Sequence, residues 1–259
     1  CNKMNEIIFI VSSMIPFKSR DDDFYFHHDC CKFYERFGIT KYTEIMLTHE
    51  ERICGNHDAK QKTLYLSDAA SFEIMQGNQD KALSLQEDAV KHSRDCSDVL
   101  LQANTVNTYG YYLNLADRKE DALKAMRTGL ALFDQLDGDG VFYFDKYRAI
   151  INYADLLFSL GQNDEAIRRV SAAKIELQDK NLTETEVYAD CCYALGLYHL
   201  CLNNSSAGNE LVSAFRIFAD LYGKDSNFVH TRASELQGYM ENAHNDIMEY
   251  EPLKQLFGE

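Results

Sequence analysis

Histidine and cysteine crowd together at two places in this chain. His27, His28, Cys30 and Cys31 fall within five residues, and Cys54 and His57 follow not far behind. Imidazole and thiolate are zinc ligands. On a helix His27 and Cys31, four apart, share a face, as do His28 and Cys31, three apart, while the adjacent cysteines point different ways. This spacing reads as small buried thiols with solvent-facing histidines, and no metal is assigned. Cys191, Cys192, His199 and Cys201 sit where a repeat helix needs small apolar side chains. Asp137-Gly138-Asp139-Gly140 has the look of part of a calcium loop. The EF-hand spacing, however, puts Gln135 first and Lys146 last, where a bidentate glutamate is needed. That stretch reads instead as a loop between repeats. The chain has no Gly-rich phosphate loop, G-x-S-x-G elbow or H-E-x-x-H motif. Its carboxylate pairs are those of any acidic helical surface. The expectation is a non-enzyme with no catalytic residue, metal or cofactor.

The elements that carry these residues follow from what is missing. Of 259 residues only two are proline, Pro16 and Pro252, and 13 are glycine. An all-β sandwich needs turn residues roughly every 8–12 positions. The long proline-free interior favours stacked helices instead. Hydrophobic residues make up 46% and charged residues 26%, as in an ordinary globular chain. The formal net charge is −15, and Lys18–Arg20 runs straight into Asp21, Asp22 and Asp23. Nucleic-acid binders need clustered Lys and Arg, so neither nucleic acid nor an acidic membrane is an expected partner. The eight cysteines exceed what a chain of this size needs as staples, and two pairs are adjacent; a reducing cytoplasm is expected. The apolar run Ile7–Ile15, broken by Ser12 and Ser13, is too short to span a bilayer. It is expected to pack on the fold or to be the remnant of a longer chain, since the sequence opens on Cys1.

Three segments align: Leu66–Val90, Val106–Leu130 and Ile150–Lys174. Each carries a small residue (Ala70, Gly110, Ala154), an alanine twelve residues later (Ala82, Ala122, Ala166), and a small residue seven further on (Ala89, Gly129, Ala173). Small side chains let two antiparallel helices approach closely, and seven residues are two helical turns. Large apolar residues fill the intervals: Leu83, Leu85, Val90; Leu123, Met126, Leu130; Ile167, Val170, Ile175. Short polar turns join the helices, with acidic residues at the start of the second one, where the helix dipole favours them. Gly77, Asp117, Gly138 and Gly161 are the expected terminators.

These landmarks resemble the tetratricopeptide repeat, a helix–turn–helix unit, with Tyr109-Gly110-Tyr111-Tyr112 and Ala122 as the most faithful copy. The chain departs from that pattern in lacking tryptophan and the closing proline, in placing Gln86 at a usually apolar position, and in its period of 40–44 residues. That period is closer to the long-helix repeats of kinesin light chains and some bacterial regulators. A fourth unit, Gly196 with Ala207 and Ala214, is one residue short in register. The resemblance implies an all-α, right-handed superhelix of antiparallel helix pairs, an α-solenoid. Its expected divisions are an N-terminal segment (1–20), a degenerate or capping pair (21–62), about four repeats (63–95, 97–136, 142–180, 184–223) and C-terminal capping helices (224–259). Phe24–Phe37 with Thr40–Cys54 form the early pair; Ser226–Ala243 and Asn245–Phe257 form the caps.

First helices of such arrays line a concave groove that takes peptides or helices, as the resemblance implies. Counting turns from each landmark gives Ser67, Ser71 and Ile74; then Asn104, Asn107, Tyr111 and Asn114; then Arg148, Asn152, Asp155 and Phe158. Amides can hold a peptide backbone and Arg148 a carboxylate. The expected function is a protein- or peptide-binding scaffold. Its rivals are the sensory half of a larger regulator and a module that self-associates through its capping faces into a homo-oligomer.

Overall fold

The computed structural model describes residues 19–36, 38–54, 58–136 and 144–242. These form eleven helices, with no strand among the described residues. The chain divides into two compact units, Cys1–Asp139 and Gly140–Glu259. The first unit holds α1 (Arg20–Arg36), α2 (Thr40–Ile53), α3 (Ala59–Met75), α4 (Gln79–Ser93), α5 (Val99–Leu115) and α6 (Lys119–Leu136). The second holds α7 (Phe144–Ser159), α8 (Asn163–Asp179), α9 (Glu186–Cys201), α10 (Ala207–Tyr222) and α11 (Asn227–Asn242). Within the units each helix packs on its hairpin partner, and first helices also touch the next first helix: α1 on α3, α3 on α5, α7 on α9, α9 on α11.

Helix ends explain how hairpins close without proline. Gly77, Asp117, Gly161 and Asn203 all have positive φ, 81°, 56°, 76° and 52°. Each lies seven residues after its small landmark. The following residue reaches back to the last turn: Asn78 N–H to Glu73 O at 2.8 Å, Arg118 to Leu113 at 2.9 Å, Gln162 to Leu157 at 2.9 Å, Asn204 to His199 at 2.8 Å. This six-to-one bond is the Schellman closure, which satisfies orphan carbonyls at a helix end. Glycine takes this backbone freely, and Asp and Asn tolerate it. Gly138, the remaining expected terminator, lies outside the described residues.

The shifted register of the fourth hairpin has a local cause. In three hairpins the landmark alanine follows the positive-φ residue by five and bonds four residues back: Ala82 to Asn78 at 3.0 Å, Ala122 to Arg118 at 2.9 Å, Ala166 to Gln162 at 3.1 Å. Ala207 follows by four and bonds three back, to Asn204 at 3.1 Å. A tighter first turn takes up the missing residue. The close approach survives: a Cβ on Gly196 would lie 2.6 Å from Leu211 Cγ, as one on Gly110 would lie 2.6 Å from Met126 Cγ.

The first pair keeps the same frame with other residues. Gly38 has φ 65°, seven residues after Cys31; Thr43 stands five beyond it and Glu50 seven beyond that. All three are fully buried. Glu50 thus holds the position that Ala89, Gly129, Ala173 and Ala214 hold elsewhere. Caps start the long helices: Asp58 accepts from Lys60 N–H at 2.8 Å and Gln61 N–H at 3.0 Å, and Asp98 from Leu101 N–H at 3.0 Å. Of the large apolar residues expected inside, Val90, Met126 and Val170 are buried, but Ile175 is 56% exposed, because Ala173 and Leu177 take the inward face of α8. Residues 1–18, the loop Asp137–Gly140 and the expected helix Asn245–Phe257 lie outside the described residues.

Candidate functional site

In the second unit Arg148, Asn152 and Asp155 share one face of α7, four and three residues apart. Successive first helices meet across this face. Arg148 Nη2 lies 3.4 Å from Glu186 Oε1 on α9, and the Tyr222 hydroxyl donates to Glu186 as well. The Tyr198 hydroxyl on α9 donates to Asp155 Oδ1 at 2.5 Å, while Phe158 stacks on the Tyr198 ring at 4.5 Å. On α11, Arg232 Nη2 sits 3.6 Å from Asp190, and its guanidinium lies 5.0 Å from the Tyr193 ring centroid. Asn152 is half-buried, and Tyr239 is 46% exposed.

Asp155 is exposed on this face, with its carboxyl held against the Tyr198 hydroxyl. Loss of bulk water pushes its carboxyl up to about 6, although the Tyr198 hydroxyl and Arg232 pull it down. Desolvation also pushes the Tyr198 phenol well above its ordinary pKa, and the Asp155 charge adds to the shift, so the hydroxyl stays protonated and able to donate. The result is an acid, an amide and stacked aromatic rings side by side, suited to hold a basic or amide-bearing segment.

The first unit splits its four expected residues. Tyr111 is 41% exposed, and Asn104 and Asn114 are half-buried on α5. Asn107 is only 8% exposed. A Cβ on Gly129 would sit 3.3 Å from the Asn107 Cβ and 3.3 Å from its backbone nitrogen, so Asn107 faces α6. The Asn107 Oδ1 atom is buried with no hydrogen-bond partner among the described residues. Asn107 precedes its small landmark by three residues and Asn152 by two, so the two asparagines are not equivalent. On α3, Ser71 donates to Glu35, the Ser67 hydroxyl is buried, and Ile74 joins Ala70, Ala82 and Tyr112 in the core.

Sequence reasoning missed a polar cluster across α1, α2 and α3. His28 Nδ1 lies 2.6 Å from Asp68 Oδ2, and Lys32 Nζ lies 2.6 Å from Asp68 Oδ1 and 3.1 Å from Glu35 Oε2. Asp68 and Glu50 are buried. The ligand atoms of His28, Glu50 and Asp68 lie within 4.8 Å of one another. Only the three-dimensional frame joins His28 to residues so far along the chain. Two expectations need correction. His27 does not face solvent: it is buried and stacks on His49 at 4.6 Å, on the side of α1 that α2 covers. Cys201, at the end of α9, is exposed, whereas Cys191 and Cys192 are buried. Burial pushes the Cys30 thiol up to about 11 and Cys192 up to about 12, which leaves both poor nucleophiles.

No protein-family model matches the sequence, and no curated protein matches it. Solved structures do. The apo form of RapI superposes with a TM-score of 0.70 at 12% identity, covering 98% of this chain and 86% of that one. A Rap protein complexed with Competence and Sporulation Factor gives 0.62 at 14% identity, covering 99% and 78%. BtubC from P. vanneervenii gives 0.61 at 17% identity, covering 85% and 89%. The fold is therefore the α-solenoid of tetratricopeptide-type repeats. No helix among the described residues is long and apolar enough to cross a membrane.

Proposed function

We propose that this chain is a non-enzymatic protein- or peptide-binding module of the cytoplasm that takes its ligand on the first-helix faces of its repeats. The observation that carries this reading is the face around Asp155: an exposed residue whose carboxyl accepts from the Tyr198 hydroxyl at 2.5 Å, beside exposed Tyr239 and the stacked Phe158–Tyr198 pair. Arg148 and Asn152 extend that face, and Asn104, Tyr111 and Asn114 supply a second one in the first unit. Asn107 acts there by holding α5 on α6. The net charge of −15 favours a basic ligand and leaves nucleic acid and membranes outside the proposal. A neighbour of the same fold that carries a bound factor supports the reading.

Selection from a random peptide display library tests it. Enriched peptides should be rich in Lys and Arg, and Asp155→Asn together with Asn152→Ala should weaken them about tenfold. Both substitutions sit on the first-helix face of α7, and an unfolding curve of the double variant checks that it stays folded. Enriched peptides that bind wild type and double variant equally would overturn the assignment.

A further inference from the structure

The repeat frame places a small residue at the third landmark of every later hairpin, and places Glu50 there in the first. Glu50 is 0% exposed, and neither of its carboxylate oxygens meets a hydrogen-bond partner among the described residues. A buried carboxyl left so is costly unless a proton or a metal cation completes its surroundings. It is aimed at Asp68, which is itself buried, and at His28; the ligand atoms of the three lie within 4.8 Å of one another. The Cys31 thiol lies alongside Glu50 and is buried at the first landmark.

We propose that His28, Glu50 and Asp68, with Cys31 turning in from beside Glu50 as fourth donor, form a structural zinc site that ties α1, α2 and α3 together. The donor set of one imidazole, two carboxylates and one thiol suits Zn2+, which closes structural sites with four protein ligands. Bonds of about 2.1 Å to N and O put ligands roughly 3.4 Å apart on a tetrahedron, so the cluster needs only side-chain shifts to close. His28 Nδ1 and Asp68 Oδ2, now 2.6 Å apart, open to admit the ion between them. Lys32 stays on the other oxygen, Oδ1, at 2.6 Å, as an outer partner that orients the ligand. The ion also offsets most of the buried charge. Three anionic ligands, Cys31, Glu50 and Asp68, and the nearby Glu35 face Lys32 and Zn2+, which leaves one net negative charge around a neutral His28 in place of three without the ion.

The test uses the untagged full chain, stripped with chelator and titrated with zinc alone. One equivalent should bind and raise the unfolding temperature, and cobalt in its place should give the visible bands of a tetrahedral thiolate site. Glu50→Gln has the shape of a protonated Glu50, so the stripped variant should melt as the stripped wild type does, yet bind zinc at least ~10-fold more weakly, the scale of losing a metal-site interaction. His28→Gln should weaken zinc likewise. If the wild type binds no zinc, or if Glu50→Gln keeps the full zinc response, the proposal fails. In the first case a proton shared by the two carboxylates is the sole occupant.

Discussion

Two glycines show how much a single hydrogen can decide. A Cβ on Gly110 would stand 2.6 Å from Met126 Cγ, 3.1 Å from Met126 N and 3.3 Å from Ala122 O. Alanine would gain about 1 kcal/mol of helix propensity, but overpacking costs about 1–3 kcal/mol. Methionine can swing its end away; backbone cannot. Gly110→Ala should therefore lose about 1 kcal/mol in urea unfolding. Gly196→Ala should lose more, since it meets Leu211 at the branched Cγ, 2.6 Å away, and at Cδ2, 2.7 Å away. Unchanged unfolding midpoints would contradict the close approach. Asp155 makes a prediction of opposite sign. Its folded value of about 6 lies above the ordinary 3.8, so it favours the fold while protonated. That contribution is full below pH 3.8 and fades as pH rises through about 6. Asp155→Asn, neutral throughout, should be more stable than wild type at pH 7. Because Asp155 is exposed, solvent screening trims the gain to about 1 kcal/mol. The difference should vanish by about pH 4 in unfolding curves run across that range.

At the scale of the element, Gln86 shows a helix adapting its neighbour's frame. It shares its register with Met126, Val170 and, after the shortened turn, Leu211. The Gln86 amide donates to Thr105 O at 3.0 Å, pinning α4 to α5, while its own oxygen is buried without a partner among the described residues. Losing a hydrogen bond costs about 1 kcal/mol and relieving an unpaired buried acceptor returns about 1–3 kcal/mol. Gln86→Leu should therefore hold or raise the thermal midpoint. Gln86→Ala, which leaves a cavity, should lower stability by about 2 kcal/mol; a Leu variant as poor as Ala would mean the pin matters more than the packing. The helix pairs were legible because small landmarks recur wherever backbones touch. The first pair hid its landmarks, since Cys31, Thr43 and Glu50 stand where Ala or Gly is usual. The candidate face was legible in part. Arg148 and Asp155 fall on it by helical spacing, but Tyr198 and Arg232, on α9 and α11, join it only through contacts between helices. Asn107 turns to α6 instead, because the count from Gly110 fixes a turn, not a direction.

For the molecule as a whole, repeats that touch only their neighbours should store stability locally. Eleven of the sixteen residues of α9 are buried, and it packs on α7, α8, α10 and α11. Its amides should be the slowest to exchange in the second unit, and those of α11, packed mainly on α9 and α10, faster. Gly110 and Gly196 then act as separate probes, one in each compact unit. Gly110→Ala should speed amide exchange in α5 and α6, and less in α3 and α4, without changing α9 and α10. Gly196→Ala should do the reverse. Their effects on unfolding free energy should add within about 0.5 kcal/mol, as independent sites do. If Gly110→Ala instead speeds exchange in α9 by the same factor as in α5, or if the double variant departs from the sum by more than 1 kcal/mol, the scale of typical coupling, the two units unfold as one body. A ligand bound on one first-helix face would in that case stabilise the other face too.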